Sequence, residues 1–151
     1  MSSTLLSAIS GAALATAATT AAALLLGKKE TGSAAAPLNA TSHIVWGDEA
    51  ASHNETDWQH TAVGALLNAG AMVSWSLVQR LLPRPKSWLG AALSGASVSA
   101  LAYVTDYHLV PKRLTPGFEK RLSPRALFLI YASMASALAG GAALSKALDG
   151  S

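Results

Sequence analysis

All four histidines of this chain stand among acids or aromatics that could join them in chemistry. Asp48, Glu49, His53, Glu55, Asp57 and His60 fall within thirteen residues, His43 precedes them by five, and Asp106 and His108 form a second short group. Imidazole nitrogens and carboxylate oxygens are the usual protein ligands of Zn²⁺ and other divalent cations. The same groups suit a proton relay, because histidine titrates near neutrality and a carboxylate responds to burial. His43, Asp48, Glu49, His60, Asp106 and His108 are therefore the candidate polar site, with His43, Asp48 and His60 as the metal candidates.

The spacing itself matches no metal signature. No His-Glu-x-x-His pair lies on one helix, and no Glu-x-x-His pair is present for a carboxylate bundle. A second reading uses the same residues structurally: Asp57 caps a helix, His60 sits in its first turn, and the acids pair with a basic loop farther on. The chain has no cysteine, which removes thiolate sites and disulfides. Walker loops, Gly-x-Ser-x-Gly elbows and dinucleotide fingerprints are also missing. No cofactor is predicted, although these residue types admit a divalent metal or, through His60 and His108, a bis-His haem; the leaning is toward a non-enzymatic helix-packing or partner-binding membrane component, with a metal- or proton-dependent membrane enzyme or small-solute facilitator as the alternative.

What must position these groups is mostly apolar. Only 13% of the 151 residues are charged, against about 25% in an ordinary soluble domain, and 51% are apolar. Eleven basic groups, scattered, make no nucleic-acid footprint. A membrane-crossing helix needs about 20 mostly apolar residues. Four runs qualify, over residues 5–26, 61–82, 88–104 and 124–144, each bounded by charge, Pro or Gly. The first is longer than the apolar core of a signal peptide and has no basic segment before it, so a retained helix is expected. Only five residues (83–87) join the second and third runs, which predicts a hairpin. The whole reads as an all-α polytopic membrane protein, a compact antiparallel four-helix bundle with short interfacial helices in two large loops, residues 28–60 and 106–123.

Small residues recur at four-residue spacing on these helices. Ser7, Gly11, Ala15 and Thr19 form one row, Ser133, Ala137, Gly141 and Ser145 another, and Gly95 and Ser99 a third. Such rows let helices approach closely in lipid, within the chain or against a second copy or another membrane protein. Trp58 and Trp88 at helix starts, with Tyr103 and Tyr107 at a helix end, fit the headgroup level.

With four crossings, both large loops lie on one side. That side holds Lys28, Lys29, Lys112, Arg113, Lys120, Arg121 and Arg125, whereas the other holds Arg80, Arg84, Lys86 and Lys146. The positive-inside rule favours both loops in the cytoplasm and both ends outside. Residues 37–46 could form a short helix lying on or dipping into the membrane surface, with Pro37 in its first turn and Gly47 as its stop. In the second loop Leu114, Phe118 and Leu122 make an apolar stripe beside Lys112, Arg113, Lys120 and Arg121, which predicts a segment resting on anionic lipid.

The runs at residues 38–50 and 106–119, with His60 and Thr61, resemble small uncharacterised bacterial inner-membrane proteins. The resemblance spans about residues 1–146 and implies a bacterial inner-membrane setting, with no activity attached.

Overall fold

The computed structural model describes residues 3–149; the side chains of residues 3, 4, 6, 7, 148 and 149 lie outside that description, so the placement of Ser7 on its small-residue row does too. Among the described residues every regular element is helical. The elements are α1 (Ser3–Thr31), α2 (Ala36–Thr41), α3 (His43–Trp46), α4 (Val63–Gln79), α5 (Trp88–Val104) and α6 (Pro124–Asp149). A wide π turn, Trp58–Ala62, leads into α4, and another, Thr105–Leu109, extends α5. Four helical stretches are long and apolar enough to cross a membrane: Ala8–Thr31, Trp58–Gln79, Trp88–Leu109 and Pro124–Ala147.

Helix ends follow local chemistry. Asp57 accepts from the His60 backbone N–H at 2.6 Å, Ser87 from Gly90 at 3.1 Å and Ser123 from Ala126 at 3.2 Å, so all three satisfy free amides of a first turn. The first span does not stop at Gly27. It runs on to Thr31 and is ended by Gly32 at φ +80°, a conformation that L side chains rarely adopt. Gly27 instead serves packing, since a Cβ there would strike the Pro37 ring. The second span's α-helix ends at Gln79, three residues early, in a turn ahead of Pro83.

α1 packs against α6 and α4, and α5 packs mainly against α6. The small-residue rows do this work within the chain. A Cβ on Gly141 would lie 2.6 Å from the Gly11 Cα, and one on Gly95 would overlap the Ala135 carbonyl oxygen. Around these approaches sit two clusters. Ala15, Met72, Val98, Met134 and Leu138 form the first; Ala23, Phe118, Leu122, Leu127 and Ile130 form the second, nearer the large loops.

Several polar side chains between helices find partners on a neighbouring helix. Asn68 Nδ2 donates to Thr19 and Thr20 at 3.0 and 3.2 Å. Ser76 donates to the Ala8 carbonyl at 2.8 Å, Ser99 to that of Tyr131 at 2.6 Å, and Gln79 to the Ser94 hydroxyl at 3.1 Å. At the end bearing Arg80 and Lys86, Lys146 donates to the Lys86 carbonyl at 2.6 Å. At the other end, Glu30 accepts from the Ser123 hydroxyl and backbone N–H at 2.7 and 2.8 Å.

Candidate functional site

The polar loop is built around a buried pair of short helices. One surface helix was expected over residues 37–46; instead it breaks at Ser42 into α2 and α3, and every residue of α2 is buried. α2 lies directly on α4 because Gly64 has no side chain where the Leu38 carbonyl passes. Asn39 and His43, four residues apart, do not lie on a surface. Both are 0% exposed, because tertiary partners complete their hydrogen bonds.

Asn39 organises the loop. Its Nδ2 donates to the carbonyls of His53 and Glu55 at 3.0 and 2.9 Å, and its Oδ1 accepts from Thr61 Oγ1 at 2.6 Å. Thr61 Oγ1 in turn accepts from the Asp57 backbone N–H at 3.0 Å. One buried amide thus fixes both the 53–55 turn and the start of the second span.

His43 is the anchor on the other side. Its Nε2 lies 2.9 Å from the Thr115 carbonyl, which can only accept, so the hydrogen sits on Nε2. Its Nδ1 stands 3.4 Å from Asp48 Oδ1, without hydrogen-bond geometry. Asp48 is held instead by Lys120 Nζ at 2.9 Å. The hydrogen bond and charge of Lys120 keep the Asp48 carboxyl below its ordinary range.

His60 belongs to a different group. Its Nδ1 lies 3.0 Å from Asp57 Oδ2, and its ring stacks on His53 with centroids 4.0 Å apart and planes 18° from parallel. The backbone hydrogen bond from His60, followed by the ring bond, lowers the Asp57 carboxyl. His53, Asp57 and His60 bring ligand-type atoms within 4.8 Å of one another. Donation from His60 Nδ1 to Asp57 leaves Nε2 as its free lone pair, an orientation common in metal sites. However, near-parallel stacked rings keep their in-plane lone pairs in two separate planes, about as far apart as the rings. One ion can bond both only after a ring turns, so the triad as built is a helix cap with a stacked lid.

The remaining candidates stand apart. Asp106 Oδ2 accepts from the Tyr131 hydroxyl at 2.6 Å, at the junction of α5 and its π turn. Glu49 is exposed. His108 is exposed too, and its ring contacts Tyr103 with centroids 5.9 Å apart. The six predicted residues therefore divide into His43 with Asp48, His60 with Asp57 and His53, Asp106 with Tyr131, and two exposed groups. The metal candidates His43, Asp48 and His60 do not share one cluster among the described residues.

The basic loop meets the polar loop, as the pairing reading expects, but chiefly through carbonyls. Arg121 donates to the Ala51 carbonyl at 2.6 Å and to Asn54 Oδ1 at 2.7 Å, and Arg113 to the Ile44 carbonyl at 3.3 Å. Lys112 and Arg113 stay exposed. The expected amphipathic stripe is not a helix. Two single 3₁₀ turns, Lys112–Leu114 and Phe118–Lys120, flank Gly117 at φ +82°, where Phe118 and Leu122 turn inward and Leu114 outward. A Cβ on Gly117 would strike Ala40 and the His43 ring, so the loop's path is set by its contact with α2.

Sequence reasoning passed over Asn39 and Tyr131 as members of these groups. Asn39 carried a local signal, the four-residue step to His43; Tyr131 carried none, because its partner is 25 residues away. Comparison of the chain with protein-family models, curated proteins and solved structures gave no match.

Proposed function

We propose that this chain is a non-enzymatic integral membrane component whose four spans alternate in direction as one antiparallel bundle and which binds a further transmembrane helix along the outer face of α1. Its setting in this reading is a bacterial inner membrane, with both large loops in the cytoplasm.

The division of small residues on α1 carries the proposal. Gly11, Ala15 and Thr19 face inward and are used within the chain. Ala13, Ala17 and Ala21, also four apart, are exposed, and with Val73 and Leu77 of α4 they line a shallow apolar groove of about 830 Å³. A flat row of alanines beside a groove lets a second helix backbone come close, which is how association gains packing energy in lipid. Large side chains lie outward too, Leu5 and Ile9 at one end of the same groove and Leu66, Leu93 and Phe128 on the other spans, where they suit lipid. The titratable groups support the same reading, since most are occupied in internal bonds that hold loops together.

The test uses the chain's lack of cysteine. In native membranes Ala17→Cys should give a disulfide-linked dimer on mild oxidation, or a discrete adduct with a photo-crosslinker, while Phe128→Cys should give neither. Monomer alone from both variants would remove the proposal. Topology is read with impermeant thiol reagents, which should reach Thr56→Cys and Lys86→Cys from opposite sides of sealed vesicles.

A further inference from the structure

Behind α2 and α3 lies a cavity of about 120 Å³ lined by residues of α1, α2, α3, α4 and α6, of the π turn after α5 and of the basic loop. Its polar lining is Thr19, Thr41, Asn68, Asp106 and Tyr131. Met72, Phe118, Ile130 and Met134 form apolar walls. Exposed Ala71 and half-exposed Leu114 also line it, so its opening lies at the edge of α4 beside the basic loop.

The hydrogen-bond inventory of this lining is one-sided. Thr19 Oγ1 donates to the Ala15 carbonyl at 2.8 Å, and Thr41 Oγ1 to that of Pro37 at 3.1 Å. Asn68 uses its Nδ2 on Thr19 and Thr20, and the Tyr131 hydroxyl donates to Asp106 Oδ2. Each side-chain donor in the lining is therefore committed. Two acceptors are not: neither Asp106 Oδ1 nor Asn68 Oδ1 takes a hydrogen bond among the described residues, although Asn68 is only 6% exposed. A carboxylate at the end of an apolar span is costly unless a cation or donors satisfy it.

We propose that this cavity binds a primary ammonium group, carried by a small free amine or by an aminoethyl lipid headgroup, with Asp106 as its counter-ion. An R–NH₃⁺ group supplies three donors and a positive charge to a site that offers acceptors, one of them a carboxylate. Its short carbon stem fits the methionine and isoleucine walls. A dry cavity of about 150 Å³ accepts a ligand of roughly six non-hydrogen atoms, so this one takes a headgroup fragment or a short alkylamine and little more. Arg113, exposed and bonded to the Ile44 carbonyl at 3.3 Å beside Leu114, stands where a lipid phosphate would follow its ammonium.

The full-length chain is placed in nanodiscs of phosphatidylcholine alone, and ethylammonium chloride is titrated by calorimetry, with sodium chloride and tetramethylammonium chloride as probes lacking N–H donors. Ethylammonium should bind saturably, and Asp106→Asn, which keeps an acceptor for Tyr131, should weaken it at least tenfold. Ala71→Phe, which fills the opening and leaves the carboxylate in place, should abolish binding with unchanged helical circular dichroism. In a second arm, protein extracted from mixed vesicles should retain phosphatidylethanolamine over phosphatidylcholine, less so in Asp106→Asn. Binding in the first arm alone assigns a free amine; retention in the second alone assigns the lipid. Failure of both arms, equal binding of tetramethylammonium or sodium, or unaltered binding by both variants would overturn the proposal.

Discussion

Two glycines on α4 should respond to alanine with opposite signs. Gly70 is exposed and nothing lies within 4 Å of a Cβ built there. Gly70→Ala therefore gains only helix propensity, up to about 1 kcal/mol. At Gly64 the new methyl would sit inside the Leu38 carbonyl group, which is backbone and has no rotamer to escape into. Non-bonded carbons settle near ~3.5 Å, so α2 must retreat by the order of 1 Å. Asn39 ties α2 to the 53–55 turn and to Thr61, and Pro37 fills the notch at Gly27, so the retreat strains those contacts as well. Overpacking costs about 1–3 kcal/mol and one weakened hydrogen bond about 1 kcal/mol more, against a propensity gain of at most about 1 kcal/mol. At about 2–4 °C per kcal/mol for a chain of this size, Gly64→Ala should lower the midpoint of thermal unfolding in detergent by roughly 2–12 °C. Gly70→Ala should raise it by about 1–3 °C. Equal midpoints for the two variants, or a Gly70→Ala loss as large as that of Gly64→Ala, would refute the placement of α2 on α4.

Asn39→Asp replaces a double donor with a carboxylate facing two carbonyls, so it should destabilise more than Asn39→Ala, and hydrogen exchange should quicken at residues 53–57 first; unchanged exchange there would count against the Asn39 hub. Arg121→Ala removes bonds to Ala51 and Asn54 and should raise thiol-reagent access at Thr56→Cys several-fold, whereas Lys120→Ala, which loses one exposed pair with Asp48, should change it little. Acid should open the same loop. The Asp57 and Asp48 carboxyls are lowered in the folded chain, so their contribution is complete above the ordinary carboxylate value and is lost as pH falls below about 4 toward their folded values. Asp57→Asn keeps an acceptor for the His60 N–H, and the variant should show a shallower acid transition by hydrogen exchange than the parent; an identical transition would show that the cap does not titrate as described.

How much of this was legible in the sequence depended on the range of the interaction concerned. The four apolar stretches were, since burial in lipid is a property of composition over about 20 residues. The caps at Asp57 and Ser123 and the stop at Gly47 were as well, because each acts across one turn. The site was not legible in the same way. A polar residue on a helix looks the same whether it faces water or a partner 15 residues away, and Asn39 was completed by the carbonyls of His53 and Glu55. The four basic residues read as a lipid anchor by charge; what holds Arg121 against the polar loop is the Ala51 carbonyl and Asn54, in turns that the sequence does not display, while Arg113 stays exposed. The small-residue rows misled in a related way. Spacing announced close approach but not its partner, and α6 took Gly11 while the less conspicuous alanines 13, 17 and 21 were left outside. Asp106 joins both cases. Placed by the sequence at the end of the third span, on the side of the polar group, it lies in the π turn that prolongs α5, and its partner is the Tyr131 hydroxyl on the neighbouring helix. A helix that widens into a π turn changes which way the next side chains point, and such turns often occur at functional sites. Restoring a regular α-helical turn there by deleting Thr105, the residue between α5 and Asp106, should therefore rotate Asp106 away from Tyr131 and abolish amine binding while leaving the four spans helical.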